Sequence, residues 1–583
     1  MEEGVVEKKV IFSELRKDKL LLILVFAILL LGVYLRFSHY NEEGLWSDDS
    51  AFVPAGLMFF YDSPYYPGLS VGNFPLGYYF IGAGCMLSGE DFSRVVNTKP
   101  LYYPDRPLLI GEPLTNGERF CHMPMYFFGI IFLFLVAVLA FVMLDKYSAA
   151  FVTAFFAFYP PILLYSRWIR TDIVFWVFLA LSLLFLWKGY TSEKASKREL
   201  WYFVLSFSSF GLAQAAKETA AVFVLFGIGI FLSKYLSEVA HYLESLFNTL
   251  DLKLAEKFSG AEPRLNQFRR IILYSVIGFL FFFLLPFRFN PKNVYDTYMM
   301  YQQFNSEMSA ISFSIKSLYT YFYNFFLTIN IIDTILFIFA FVLLIALIFR
   351  KNKSRLDNFL LYFTLIGIVV SLFLRILEIN RLAIPFLLFF IFLMAMSLSD
   401  RWISIPKLIK IPPRTFFFVF MIVYVVFSFT IALSSSPYFI SVNRAHCLSD
   451  KSKCTSAVSS DISSFSSKVV YNYLKDRLGP GETFYGPSEV IHFYIKRSQH
   501  MTNFQFDTQF KQQVGRDPSL SERIQYYHPN NETIRYLFLS PYQNLFGEEG
   551  LELKAKYEPN DIIRIQGMDI YYVYDLKDLR ERK

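Results

Sequence analysis

Apolar runs of bilayer length alternate with short polar punctuation through residues 20–434, and this pattern dominates the chain. A hydrocarbon core of about 30 Å takes about 20 helical residues to cross. By that measure the runs near 20–37, 125–144, 149–164, 172–187, 200–215, 218–232, 272–287, 326–349, 358–374, 382–398 and 415–434 predict about eleven transmembrane helices. The runs between 149 and 232 are the shortest. A paired error there would leave the orientation of everything downstream unchanged. The first run is too long for a signal peptide and lacks a small-residue cleavage site, so it reads as an anchor.

Two stretches break the pattern. Residues 38–124 hold Pro, Gly and Tyr clusters around two amphipathic segments, 51–60 and 76–87. A connection of that length is usually functional or disordered, and its aromatic content argues against disorder. Residues 435–583 have ordinary polarity and predict a strand at Thr483–Tyr485, a Gly486-Pro487-Ser488 turn, a helix over 489–497, and strands near 534–539 and 569–575. The expected organisation is a transmembrane module over 1–434, containing the large loop 38–124, followed by a small soluble α/β domain over 435–583.

Composition agrees with this picture and removes alternatives. The chain is 54% hydrophobic and 19% aromatic but only 18% charged, against about 25% charge in soluble proteins. A soluble enzyme is excluded. The net charge of +7 is not gathered into a nucleic-acid patch, because Lys and Arg punctuate the apolar runs as topology determinants do. With the N-terminus inside, the inner segments 1–19, 144–148, 187–199, 233–271, 350–357 and 399–414 hold 24 Lys+Arg in 100 residues. The outer loops 38–124, 165–171, 216–217, 288–325 and 375–381 hold 12 in 141. That bias places the N-terminus in the cytoplasm and the C-terminal domain on the extracytoplasmic side of a cell or endoplasmic-reticulum-type membrane. All four cysteines then lie outside, where Cys447 can pair with Cys454, and Cys85 with Cys121; four free thiols are the alternative. No cofactor is required and a divalent metal stays open: the seven histidines lack a paired metal-ligand spacing, and His446, Cys447 and Cys454 could supply three zinc ligands, with a disulfide beside an idle histidine the stronger reading.

Charge at membrane level is costly and marks function by default. Asp48 and Asp49 follow the first run, Arg167, Arg170 and Asp172 precede the fourth, Lys217 and Glu218 separate the fifth from the sixth, and Arg375, Glu378 and Arg381 flank a late turn. The topology brings all of them to the outer face. Two adjacent acids cannot both ionise cheaply, so one becomes a base able to take a hydroxyl proton near neutral pH. Ser47-Asp48-Asp49 is also a good helix start, Asp172 a good helix cap, Arg167 and Arg170 candidates for interfacial snorkelling, and Lys217-Glu218 a self-neutralising turn. The basic groups suit a phosphate through charge-assisted donation.

These residues resemble, in order and in shared side, the polyprenyl-phosphate-sugar-dependent glycosyltransferases of the GT-C fold, the protein O-mannosyltransferase and lipid A aminoarabinose transferase kind (glycosyltransferase family 39 and relatives). Trp46-Ser47-Asp48-Asp49 resembles the family's acidic pair in the first outer loop. Asn73-Phe74-Pro75-Leu76-Gly77-Tyr78-Tyr79, followed by Arg94, resembles its proline-tyrosine segment and downstream arginine. Tyr165-Ser166-Arg167-Trp168-Ile169-Arg170-Thr171-Asp172 resembles the serine-arginine-aspartate turn, and Asn380-Arg381-Leu382-Ala383-Ile384-Pro385 the arginine entering a late span. The likeness covers roughly residues 20–400. Two departures stand out. Asp49 replaces the usual glutamate, and the lysine that many relatives carry before the proline-tyrosine segment is missing, with Lys217 the candidate replacement.

The resemblance implies an inverting transfer from a polyprenyl-phosphate-linked sugar to an acceptor hydroxyl on protein, lipid or glycan. It implies Asp48 as base with Asp49 as substitute, and Asp172 orienting an arginine or the sugar. Tyr78, Arg94, Arg167, Arg170, Lys217, Glu218 and Arg381 would be donor-binding groups. Oligosaccharyltransferase is the rival within the fold, but the tail lacks that class's Trp-Trp-Asp-Tyr-Gly signature. A transporter or flippase-like protein would place its charges near mid-membrane and often shows paired halves, neither of which is visible here. A non-catalytic scaffold would leave Asp48, Asp172 and Lys217 without a role.

Overall fold

The computed structural model describes residues 18–38, 49–61, 74–92, 117–194, 196–235, 262–306, 331–351, 353–373, 390–396, 412–435, 466–479, 482–485, 513–516, 533–539, 555–565 and 568–581. In chain order its helices are α1 (Lys19–Phe37), α2 (Asp49–Leu57), α3 (Leu76–Met86), α4 (Gly117–Met143), α5 (Lys146–Phe158), α6 (Pro160–Tyr165), α7 (Asp172–Thr191), α8 (Lys197–Ala216), α9 (Ala220–Lys234), α10 (Glu262–Leu284), α11 (Pro291–Ser306), α12 (Ile331–Phe349), α13 (Arg355–Phe373), α14 (Pro413–Ser435), α15 (Ser466–Leu474) and α16 (Leu576–Glu581). The strands are β1 (Glu482–Tyr485), β2 (Thr533–Leu539), β3 (Asp561–Ile565) and β4 (Met568–Asp575). Two compact units emerge. One comprises 1–38, 72–77 and 125–434, the other 39–71, 78–124 and 435–583.

In the first unit the helices follow the apolar pattern closely. Among the described residues six are long and apolar enough to cross a membrane, which makes this an integral membrane protein; the expected count of eleven is not reproduced. Residues 149–164 do not form one span, because Pro160 and Pro161 interrupt it. Proline lacks an N–H and drives the residue before it out of the helical region, and Tyr159 is extended at φ −68°, ψ 113°. The expected span 382–398 lies mostly outside the described residues.

Side-chain burial sorts the spans by depth. Leu20, Ile23, Phe26 and Leu30 of α1, Leu273, Val276 and Ile277 of α10, Ile335, Ile338 and Val342 of α12, and Val419, Ile422 and Val426 of α14 are exposed. Apolar faces left open in this way suit lipid. By contrast α7 is buried along most of its length. It forms a hairpin with α8 through the short connection 192–196, and α8 carries its serines inward: Ser206 donates to the Ser182 carbonyl at 2.9 Å.

Ion pairs tie the helix ends together in groups. Asp18, which caps α1 by accepting from the Leu21 N–H, pairs with Arg414 at 2.7 Å and Lys146 at 3.7 Å. All three fall in segments that the charge bias assigns to the inner side. A second group joins the C-terminus of α7 to α8 and α9. Lys234 lies 2.6 Å from Glu199 and donates to the Gly189 and Ser192 carbonyls at 2.6 and 2.7 Å. Those carbonyls lie at the C-terminal end of α7, where a cation is favoured.

In the second unit α2 and α3 match the two amphipathic stretches of the first loop. They cross where Gly56 meets Gly82. A Cβ on Gly56 would lie 2.6 Å from the Gly82 nitrogen, so only glycine permits this approach. Cys85 and Cys121 form a disulfide across 36 residues, as the oxidising-side reading allowed. The C-terminal part is a four-stranded sheet of order β1-β2-β4-β3, with β1 and β2 parallel and the remaining pairs antiparallel. Three strands coincide with expectation; β3 and α15 were not anticipated. The expected helix 489–497 and the Cys447–Cys454 pair lie outside the described residues.

One face of the sheet is aromatic. Tyr473 of α15 meets Phe538 edge-on, and Phe538 in turn meets Phe484 and Tyr571. On the other face Arg535 binds both Asp575 oxygens at 2.9 Å and Glu482 at 2.8 Å, clamping β1, β2 and β4 through one guanidinium. Glu482 also accepts from the Gly479 N–H. That bond and Arg535 hold its carboxyl below the usual glutamate range, while the two carboxylates raise Arg535.

Candidate functional site

The connection between α6 and α7 is compact and buried from Tyr165 to Asp172. Ser166 donates to the Leu163 carbonyl at 2.7 Å, and the Arg170 N–H to the Trp168 carbonyl at 2.8 Å. Arg167 has no exposed surface. Arg170 is 8% exposed and stacks on the Trp168 ring at 4.8 Å. Neither behaves as a snorkelling side chain, whose charged end would reach out. Trp168 is fixed in turn by an edge contact with Tyr165, which also meets Trp176. Two close approaches lock the segment. Gly129 of α4 packs on Ser166, and a Cβ on Gly77 would come within 2.9 Å of the Thr171 Cα. Gly77 thus buttresses the residue before Asp172, and Phe74 of the same motif packs on Phe287 at 5.5 Å.

Asp172 opens α7 and Lys217 follows the last residue of α8. Both belong to the same end of an antiparallel hairpin, and they form a buried ion pair, their side chains only 4% and 8% exposed. The backbone favours each charge where it stands: a carboxylate at a helix N-terminus and an ammonium at a helix C-terminus both oppose the helix dipole. Lys217 is extended (φ −157°, ψ 136°), and its N–H caps the Ala213 carbonyl. No glycine or proline is needed for the turn into α9. The self-neutralising Lys217–Glu218 alternative is not what forms, since the lysine reaches 45 residues back to Asp172.

The remaining sequence candidates divide. Tyr78 is buried in α3, its ring 5.6 Å from Phe52. Asp49 is the first residue of α2. Asp48, Arg94, Arg375, Glu378 and Arg381 lie outside the described residues. Among the described residues no three His, Cys, Asp or Glu side chains are grouped to hold a metal ion.

Sequence reasoning passed over several buried charges, Arg36 and Glu199 among them. Arg36, near the end of α1, is fully buried and donates to Gly32 at 2.9 Å and to Phe156 at 3.2 Å, so it caps the C-terminal carbonyls of α5. A charge inside an apolar run was its signal. The charge bias counts Lys234 only among the inner-side basic residues, and it does not single out Glu199, which is entirely buried.

No family model matches the chain, and no curated protein matches it. Among solved structures it is similar to ArnT from Cupriavidus metallidurans bound to undecaprenyl phosphate, with a TM-score of 0.49 and 13% identity over 94% of this chain and 97% of that one. The apo state of ArnT gives 0.48 and 13% over the same shares. The archaeal oligosaccharyltransferase AglB from Archaeoglobus fulgidus, in complex with an inhibitory peptide and a dolichol-phosphate, gives 0.45 and 13% over 90% of this chain and 69% of that one. This chain is similar to both proteins along 90% or more of its length.

Proposed function

We propose that this protein is a membrane glycosyltransferase that moves a sugar from a polyprenyl-phosphate carrier to an acceptor hydroxyl on the extracytoplasmic face. The observation that carries the reading is the buried Asp172–Lys217 pair at one end of the α7–α8 hairpin. Next to it in sequence are two further buried cations, Arg167 and Arg170. A phosphate is the anion that such donors suit. The carboxylate of Asp172 holds the Lys217 ammonium in place; it is a positioning residue.

In the proposed reaction Asp48, or Asp49 in its stead, takes the proton of the acceptor hydroxyl. The hydroxyl oxygen attacks the anomeric carbon on the face opposite the phosphate. The bond from that carbon to the phosphate oxygen breaks, its electron pair stays with the oxygen, and the configuration inverts. Polyprenyl phosphate leaves carrying the added negative charge. Lys217, with Arg167, Arg170 and Arg381, stabilises that charge; removing one such donor typically costs about 10²–10³ in rate. Tyr78, Arg94 and Glu218 are assigned to donor binding.

The test supplies radiolabelled polyprenyl-phosphate-sugars to membranes holding wild type, Asp48→Asn or Asp49→Asn protein, and follows label into lipid, protein and glycan fractions. Transfer by wild type with loss in one of the two variants supports the reading and identifies the acceptor class. Folded wild type that moves no label from a panel of sugars would overturn it in favour of transport or scaffolding.

A further inference from the structure

The turn that carries Lys217 holds two more polar side chains with unmet hydrogen-bonding capacity. Gln214 lies one helical turn before Lys217 on α8. Its amide Nε2 donates to the Glu218 carbonyl at 3.3 Å, which fixes the side chain and leaves Oε1 buried without a hydrogen-bond partner among the described residues. Thr219 occupies the N-cap position of α9. Threonine there ordinarily accepts from a first-turn N–H, yet this hydroxyl makes no cap bond. Its Oγ1 is likewise buried without a hydrogen-bond partner among the described residues. Buried polar atoms are almost always paired, and leaving one unmet is costly. The two residues that carry these atoms flank Lys217 in sequence, at the turn between α8 and α9. One atom is an acceptor only, and the other can donate as well as accept.

We infer that Gln214 and Thr219 form a subsite for the hydroxyl groups of the transferred sugar, beside the phosphate held by Lys217. This rests on the lipid-phosphate-sugar reading above and adds to it the group that recognises the sugar. A sugar hydroxyl donates to Gln214 Oε1, and a neighbouring one exchanges a hydrogen bond with Thr219 Oγ1. The phosphate is common to every such carrier, so this pair contributes discrimination rather than general affinity. A site built to bond a hydroxyl rejects a ligand lacking it, because its own polar groups are then left unpaired.

The experiment compares binding of bare undecaprenyl phosphate with a panel of undecaprenyl-phosphate-linked monosaccharides, by competition on purified full-length protein. The variants are Thr219→Val, Gln214→Leu and the conservative Thr219→Ser, each first shown to be monodisperse and as heat-stable as wild type. Wild type is expected to bind at least one sugar-bearing carrier more tightly than the bare phosphate. In Thr219→Val and Gln214→Leu that preference falls by about three- to tenfold each, the range of a single neutral hydrogen bond, while bare-phosphate affinity stays within twofold. Thr219→Ser keeps the preference. An unchanged preference in both disruptive variants, or a wild type with no preference across the panel, would overturn the subsite and assign the two atoms to water. Failure of wild type to bind bare phosphate would instead overturn the lipid-phosphate reading itself.

Discussion

Replacing Asp172 by asparagine would leave the Lys217 ammonium buried beside a neutral amide. Both side chains are less than a tenth exposed, so water cannot take over the lost interaction. Breaking a buried pair by removing one partner costs about 3–5 kcal/mol, whereas replacing both by apolar groups of similar size is often neutral or stabilising. The helix-end preference of the carboxylate adds about 0.3–1 kcal/mol to the single loss. Asp172→Asn and Lys217→Met should therefore each destabilise clearly, and Asp172→Leu with Lys217→Met together should recover most of that loss. Transfer should not recover, because the ammonium is gone. The assay is heat-induced loss of the monodisperse species in detergent, run on wild type, the two single variants and the double variant and paired with labelled-sugar transfer. An Asp172→Asn protein as heat-stable as wild type, or a double variant no better than the singles, would refute the pairing. A double variant with full transfer would refute the role of Lys217.

Gly77→Ala should push Thr171 aside, since the new Cβ would meet its backbone at 2.9 Å; transfer should fall more than donor affinity, read as a kcat loss at nearly constant KM. Lys234→Met removes an ion-pair partner of the buried Glu199 and uncaps the end of α7, and should destabilise the protein by about 3 kcal/mol, measured by the same heating assay. Cys85 and Cys121 should run as a disulfide-linked pair in non-reducing peptide mapping, and Cys85→Ala should remove up to about 4 kcal/mol, the chain-entropy value for a loop of 36 residues. In the C-terminal sheet the depressed pKa of Glu482 gives a definite sign. Its contribution is present above the unfolded glutamate pKa of about 4.3 and is lost as pH falls through the lower folded value. Protease resistance of that sheet in the full chain should therefore drop below about pH 4, and Arg535→Met should lower resistance at pH 7 and flatten the dependence.

Much of this architecture was legible in the sequence, for physical reasons that also explain what was not. Length and apolarity located α7, α8 and α14 to within a few residues, because a span must satisfy its backbone internally and little else competes. The same rule overran Tyr159, where a Pro-Pro step outweighs apolarity. The Asp172–Lys217 pair was within reach, since two helices of 20 residues joined by a short turn must bring their outer ends together. What hid it was proximity along the chain, which suggested Glu218 as the partner. Glu199 and Lys234 were not singled out, because they lie 35 residues apart and only the packing of three helix ends brings them together. In the C-terminal sheet β2 and β4 stood out as β-branched and aromatic runs. By contrast β3 is five residues long with charge at Asp561 and Arg564, an edge strand whose identity comes from its pairing with β4.

The claim at the centre of the account is that the Lys217 end of the α7–α8 hairpin receives a lipid-linked phosphate. Its most direct test is the affinity of purified wild type and Lys217→Met protein for bare undecaprenyl phosphate, with the Asp172→Leu, Lys217→Met double variant as the well-folded control. The account predicts saturable binding by wild type and at least a tenfold loss in both variants. Equal affinity in all three, or no binding by folded wild type, would contradict it.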